Sequence, residues 1–176
     1  MSVIKSSYLS KGDLSIDLAC SEDANFMFHL RNSKDIWENL ENIEPLNMDG
    51  QSEWIKSIQS SKNKYFIIRS SGERVGIVRL NNIDMINRCA CIGVDVHPSY
   101  QRKGIAKGTY HIMMEYCFNS LNLNRLYLYV LDENVKAISL YEGLNFQKEG
   151  VLREAIYRNG KYINYYLYGI LRNEFK

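Results

Sequence analysis

The stretch Val94-Asp95-Val96-His97-Pro98-Ser99-Tyr100-Gln101-Arg102-Lys103-Gly104-Ile105-Ala106 decides how the rest of this chain is read. Ahead of and into it, Ala90, Ile92, Val94 and Val96 alternate with Cys91, Gly93 and Asp95, the period of a strand. The strand closes at His97-Pro98. From Ile105 to about Asn119, Tyr110, Met113, Met114 and Cys117 recur at helical spacing and are expected to face a core. The loop between carries Gln101, the cations Arg102 and Lys103, and Gly104. A strand that opens through a glycine loop into a helix presents unpaired N–H groups and the positive end of the helix dipole. Gly104 lets backbone approach a ligand that a side chain would block. The loop therefore reads as a phosphate cradle, against the plainer alternative of a strand-to-helix turn with a solvated basic patch. It has neither the G-x-G-x-x-G of a dinucleotide fold nor the G-K-[ST] ending of a P-loop.

Outward from this centre, Leu14 to Ala19 reads as a first strand. Ala24, Met27, Phe28 and Leu30 give a helical stripe behind the helix-start cluster Ser21-Glu22-Asp23. Asp35 to Leu40 is a second helical piece, Pro45 to Gly50 a loop, and about Gln51 to Gln59 a further helix. Tyr65–Arg69 and Val75–Leu80 are strands joined by the hairpin signal Ser71-Gly72-Glu73-Arg74. Asn81 to Arg88 is a polar bend. Leu126–Val130 is a strand and Asn134–Glu142 a helix. Val151–Tyr157 and Tyr162–Ile170 pair around Asn159-Gly160. The order β-α-α-β-β-β-α-β-α-β-β predicts an α+β fold, a mixed, mostly antiparallel sheet flanked by helices, in one domain over residues 1–176.

The 176 residues are enough for a sizeable core. A net charge of +2 gives no electrostatic case for nucleic acid. Cys20, Cys89, Cys91 and Cys117 lack metal-ligand spacing, and Cys89 and Cys91 share a strand face in poor geometry for bridging. Reduced thiols, a polar opening without the apolar core of a signal peptide, and the lack of a run near 20 apolar residues lead us to expect a cytoplasmic protein with no membrane partner.

A second motif lies downstream: Asp132-Glu133-Asn134-x-x-Ala137-Ile138-x-Leu140-Tyr141-x-x-Leu144-x-Phe146. Asn134 is a helix cap, and Ala137, Ile138 and Tyr141 fall on one helical face. By spacing alone Tyr141 is a core aromatic.

Together, Gln101-x-x-Gly104-x-Ala106 and Asn134-x-x-Ala137-x-x-x-Tyr141 resemble the two signatures of the GNAT superfamily of N-acetyltransferases. The likeness runs over about residues 13 to 172, through Glu149-Gly150-Val151-Leu152-Arg153-Glu154 and Asn159-Gly160-Lys161-Tyr162-Ile163-Asn164. That tail is similar to the branch holding ribosomal-protein N-terminal, spermidine and nucleotide-linked amino-sugar acetyltransferases. The front half, with Leu30-Arg31-Asn32 and Trp54-Ile55, is most similar to the amino-sugar members. The resemblance implies acetyl-CoA as co-substrate and direct transfer to a primary amine, most simply that of a nucleotide-linked amino sugar. A polyamine, a protein N-terminal amine, or a silent acyl-CoA-binding module are the alternatives. It also implies site roles. Gln101, Arg102, Lys103, Gly104, Ile105 and Ala106 would hold the pyrophosphate. Backbone at Val94, Asp95 and Val96 would hold the pantetheine arm, which Asn134 would touch, and Tyr141 would protonate the leaving thiolate. No metal is implied. A small-molecule amine is the expected partner, with a homodimer open.

The chain departs from the pattern in two places. Many members carry Glu where Cys91 stands, and a neutral thiol is a poor base at pH 7. Asp95, two strand-face positions on, is one substitute, or else a structural carboxylate; His97 is another, or else a surface residue. The Gly of the usual Gly-Phe pair is Asn145, which tolerates a left-handed backbone second best to Gly. Glu38, Glu41 and Glu44 could line an acidic pocket for a polyamine or form a solvated face.

Overall fold

β-branched and aromatic residues in alternation build eight strands, and the computed structural model describes residues 9–58 and 61–176 of the chain. Residues 1–8 of the polar opening, and Gln59 at the end of the third helical piece, lie outside them. The strands are β1 (Leu9–Lys11), β2 (Leu14–Leu18), β3 (Lys64–Ser70), β4 (Glu73–Asp84), β5 (Cys89–Val96), β6 (Arg125–Leu131), β7 (Gln147–Arg158) and β8 (Lys161–Leu171). They form one sheet in the order β1-β2-β3-β4-β5-β6-β8-β7. All neighbours are antiparallel except β5 and β6. The expected α+β order holds, with the short strand β1 added in front through a turn at Gly12 and with three helices rather than two between β2 and β3.

The helices are α1 (Ala24–Asn32), α2 (Lys34–Trp37), α3 (Met48–Ser57), α4 (Ile105–Glu115) and α5 (Val135–Gly143). Period-2 alternation sends successive strand residues to opposite faces. Ile67 and Ile77 pack with Met27, Leu30, Ile36 and Ile55 from α1 to α3. Phe66, Ile68, Val78, Leu80, Ala90 and Ile92 pack with Tyr110, Met113 and Met114 of α4 on the other face. Each such fully buried large side chain contributes about 1.5–3 kcal/mol. The four residues expected to face the core from α4 and its extension, Tyr110, Met113, Met114 and Cys117, are all buried.

Some boundaries move for identifiable reasons. The expected loop Pro45–Gly50 gives up its end to α3, because the Asn47 side chain accepts from the Gly50 N–H at 2.6 Å and caps the helix two residues before Asp49. The polar bend Asn81–Arg88 is strand as far as Asp84, with a register shift between Asn81 and Asp84 and Asn82 at φ 51°. Beyond Glu115, α4 widens into a π-helical turn over Tyr116–Ser120, with Leu121 N–H donating to the Tyr116 carbonyl at 3.0 Å. Strand β7 begins at Gln147 rather than Val151, since an exposed edge strand needs no apolar start. The Asn145 backbone sits at φ 69°, the left-handed stop that Gly supplies elsewhere.

One feature of the sheet positions everything that follows. The parallel pair β5 and β6 shares only three rungs, Cys89 with Arg125, Ala90 with Leu126 and Cys91 with Tyr127. Past Cys91 the strands part. The sheet has an internal gap between Ile92–Val96 and Leu128–Leu131, opening toward the N-terminus of α4.

Candidate active site

A cleft of about 950 Å³ runs through this gap. At one end it meets Gln101, Arg102, Gly104, Ile105, Ala106 and Lys107; at the other it reaches Arg31, Asp35, Glu38 and Glu41. Asn134, Ala137, Leu140 and Tyr141 of the α5 segment line its flank between the two.

The phosphate-loop end owes its shape to two left-handed residues, Arg102 at φ 61° and Gly104 at φ 76°. Gly104 caps α4, and the position its Cβ would take has no atom within 4 Å. Here the glycine answers a backbone demand and leaves open space in front of the helix N-terminus. Gln101 folds back, its Nε2 donating to the Val96 carbonyl at 3.1 Å, and so braces the loop against the end of β5. Lys103 turns away from the cleft and sits over the Tyr100 ring, 5.0 Å from its centroid. Lys107, one turn into α4, faces the cleft instead. Its spacing of three from Gly104 was the available sequence signal.

Along β5 the three expected backbone contacts divide. The Asp95 carbonyl points at Gly76 on β4. By the two-residue period, Val94 and Val96 then turn their N–H and C=O groups toward the gap. Asp95 contributes a side chain rather than backbone. It is 9% exposed, and its Oδ1 accepts from Arg79 Nη2 at 3.1 Å, while Oδ2 is buried with no hydrogen-bond partner. Arg79 lies across Gly93, its register partner, where any side chain would collide with the guanidinium. Burial is the largest influence on Arg79 and works against its charge, but Asp95 together with Tyr110, Tyr141 and Tyr65 outweighs it, and the guanidinium pKa rises. Burial, and then Arg79 nearby, push the Arg31 guanidinium down. The sequence signal for Arg79 was a lone charge inside the apolar run Val75-Gly76-Ile77-Val78-Arg79-Leu80.

Asn134 caps α5 as expected, its Oδ1 accepting from the Ala137 N–H at 3.2 Å. Tyr141 is half-buried in an aromatic cluster, edge-on to Tyr110 with centroids 5.7 Å apart and beside Phe146 and Tyr168. The ring is wedged against the core, as the packing reading has it, while the residue also lines the cleft. Burial raises the Tyr141 phenol above its ordinary value, opposed by the Tyr110 hydroxyl beside it. The Tyr110 hydroxyl itself lacks a partner of full hydrogen-bond geometry. Tyr141 thus carries its proton throughout the neutral range.

Cys91 lies where the rungs end, and burial pushes its thiol up to about 11. It is neither a base nor a nucleophile near pH 7. His97 lies outside the cleft lining; its Nδ1 accepts from the Ser99 N–H at 3.3 Å. Glu44 also lies outside, whereas Glu38 and Glu41 are in the wall. None of the four cysteines is in a disulfide. Among the described residues no cluster of His, Cys, Asp and Glu could hold a metal, and no helix is long and apolar enough to cross a membrane.

Residues 13–147 match the acetyltransferase (GNAT) domain family. The chain belongs to the GNAT acetyltransferases. Its fold is that of an acetyl-CoA-dependent acyltransferase family. The spermidine N(1)-acetyltransferase of Escherichia coli K12 is 38% identical over 109 residues, which are 62% of this chain and 59% of that relative. The chain thus aligns with less than two thirds of the E. coli relative's length. The Vibrio cholerae spermidine N(1)-acetyltransferase is 31% identical over 149 residues, 80% of this chain and 82% of the relative. The crystal structure of the Vibrio cholerae enzyme in complex with CoA and spermine superposes with a TM-score of 0.88 at 29% identity, covering 93% of this GNAT chain and 98% of that one.

Proposed function

We propose that the protein transfers the acetyl group of acetyl-CoA to a primary amine of a small molecule, and that the amine belongs to a polyamine such as spermidine. The observation that carries the reading is the gap between β5 and β6, which joins a helix N-terminus at one end to an acid-lined wall at the other, with Tyr141 alongside. The likeness to spermidine acetyltransferases supports a polyamine over the nucleotide-linked amino sugar expected from the front half of the sequence. The acids Asp35, Glu38 and Glu41 at the acceptor end suit a polycation. The N-terminus of α4, with Arg102 and Lys107, holds the diphosphate of CoA. Val94 and Val96 offer backbone groups to the amides of its arm. The neutral amine attacks the thioester carbonyl carbon, the C–S bond breaks, and Tyr141 passes its proton to the departing thiolate. The proton shed by the amine goes to water, since Cys91 takes none, and water returns one to the Tyr141 phenolate. Positioning the amine against the thioester supplies much of the rate.

One observation favours a second reading. Arg31 and Arg79 stand together at the acceptor end, and Arg31 Nη1 is buried without a partner. Two guanidiniums suit an acceptor that carries phosphate, as a nucleotide-linked amino sugar does. Thiol release from acetyl-CoA, assayed with spermidine, spermine, a nucleotide-linked amino sugar and a peptide amine, separates the two. Spermidine or spermine should give the highest kcat/KM; a preference for the sugar nucleotide would replace the polyamine reading.

Direct transfer also makes a prediction for the thiol in the cleft. Cys91→Ala is expected to keep turnover within roughly threefold, because at pH 8 only about one such thiol in a thousand is ionised. Intact mass spectrometry after mixing with acetyl-CoA should show no acetyl adduct. An adduct that disappears in Cys91→Ala would establish an acyl-enzyme instead.

A further inference from the structure

Tyr110 lies less than two turns into α4 from Gly104, so one helix carries the phosphate loop at its start and this tyrosine on its inner face. Its ring packs edge-on to Tyr141, with centroids 5.7 Å apart, and against Phe146 at 6.0 Å. The residue is 1% exposed and does not line the cleft, whereas Tyr141 does; Tyr110 stands behind it. A buried hydroxyl normally finds a partner. Among the described residues this one has none of full hydrogen-bond geometry, so its proton is committed to no other group and can turn toward Tyr141. The other rings around Tyr141 offer nothing comparable: Phe146 has no hydroxyl, and the Tyr168 hydroxyl donates to Glu142 at 2.9 Å. A phenylalanine at 110 would fill the same space without burying an unsatisfied oxygen, so the oxygen calls for a reason beyond packing.

The titratable and charged groups that act on Tyr141 are Tyr110 on α4, Asp95 and Cys91 on β5, Arg79 on β4 and Tyr165 on β8. Burial is the largest influence on Tyr110 and on Tyr141, and it raises both phenols. Within the pair, Tyr110 lowers Tyr141 while Tyr141 raises Tyr110, as a donor and its acceptor do. Asp95 opposes a negative oxygen on either ring, and Arg79 favours one. When Tyr141 gives its proton to the departing thiolate, a phenolate remains at the edge of the core, in the field of the Asp95 carboxylate. A donor already in place behind that oxygen stabilises the charge as it develops and needs no reorganisation to do so.

We propose that Tyr110 is a positioning residue for acetyl transfer: its hydroxyl donates to the Tyr141 oxygen, aims the Tyr141 proton into the cleft and steadies the phenolate that remains. The assignment rests on Tyr141 as the general acid, and not on which amine is acetylated. The Tyr141 O–H bond breaks as the S–H bond of CoA forms. Tyr110 keeps its own proton throughout, and water restores that of Tyr141.

Single-turnover thiol release, with saturating acetyl-CoA and the fastest of the four acceptors above, tests it. Tyr110→Phe should lower the rate roughly ten- to thirtyfold, the scale of one hydrogen bond to a charged oxygen. Acetyl-CoA affinity and Tm should hold, because the ring stays and its hydroxyl has no other partner among the described residues. The alkaline fall in the rate, read by jumping the protein briefly into buffers of rising pH, should move up by about one pH unit, since a donor that favours the phenolate is gone. A residue that only packs would leave that limb where it is. In a Tyr141→Phe background the same substitution should cost nothing further. An unchanged rate in Tyr110→Phe, an unmoved limb, losses that add in the double variant, or a joint fall of affinity and Tm each overturn the role of Tyr110. Wild-type turnover in Tyr141→Phe overturns the acid itself, and this assignment with it; a silent Tyr110→Phe beside a slow Tyr141→Phe overturns this assignment alone. Wild-type protein that releases no thiol with any of the four overturns the direct transfer on which both rest.

Discussion

Tyr141→Phe is expected to lower turnover by roughly 10²–10⁴-fold, the usual contribution of a positioned proton donor. The ring keeps its place against Tyr110, Phe146 and Tyr168, so the cluster stays filled. Affinity for acetyl-CoA should therefore hold, and the loss should appear in kcat and kcat/KM alike, the mark of an interaction made in the transition state. Stability should change little, within about 1 kcal/mol or ~3 °C in Tm for a domain of this size. The wild-type pH profile supplies an independent check. Burial raises the Tyr141 phenol, so loss of its proton should cut activity only above pH ~10, and a phenylalanine there should erase that descending limb. If the hydroxyl is only packing, turnover will stay near wild type, or affinity and Tm will fall together. Turnover, calorimetric titration with acetyl-CoA and a melting curve on this one variant decide the matter.

The second large effect is expected at Gly104. Gly104→Val should abolish detectable acetyl-CoA binding by calorimetry while the domain still folds. Two causes contribute, and they can be separated. The backbone at φ 76° disfavours any residue with a Cβ by about 1–2 kcal/mol, more for a branched one. A side chain would also fill the open space ahead of the helix N-terminus. Asparagine tolerates the left-handed region, so Gly104→Asn relieves much of the strain and keeps the obstruction. Weak binding in both variants, with a lowered Tm only in Gly104→Val, assigns the loss to obstruction. Full affinity in Gly104→Val would remove the loop as the diphosphate site.

The two ends of the cleft were unequally legible in the sequence. The donor end is built from local devices: a strand period, the glycine at 104, the cap at Asn134 and the left-handed stop at Asn145. Each is a short-range instruction; Gly104 and Asn134 line the gap, and Asn145 stands just past the end of α5. Gln101 shows the limit even there, since its spacing could not tell a ligand contact from the brace to Val96 that it makes. The acceptor end is built from long-range pairings. Arg158 meets Leu40 and Glu41 across more than a hundred residues, and Arg79 meets Asp95 across two strands. No periodicity encodes such meetings. The front of the sequence accordingly pointed toward an amino sugar, whereas the relatives with known structures point toward a polyamine.

The three-rung join between β5 and β6 has a consequence for how such a chain can drift. Beyond Cys91 each strand exposes a backbone rim, but inside the molecule rather than at its border. An open rim normally invites a foreign strand. This one lies behind the walls of the cleft, within the molecule. What it offers is main chain, so substitutions at β5 and β6 change which side chains flank the gap without changing the N–H and C=O groups presented to it.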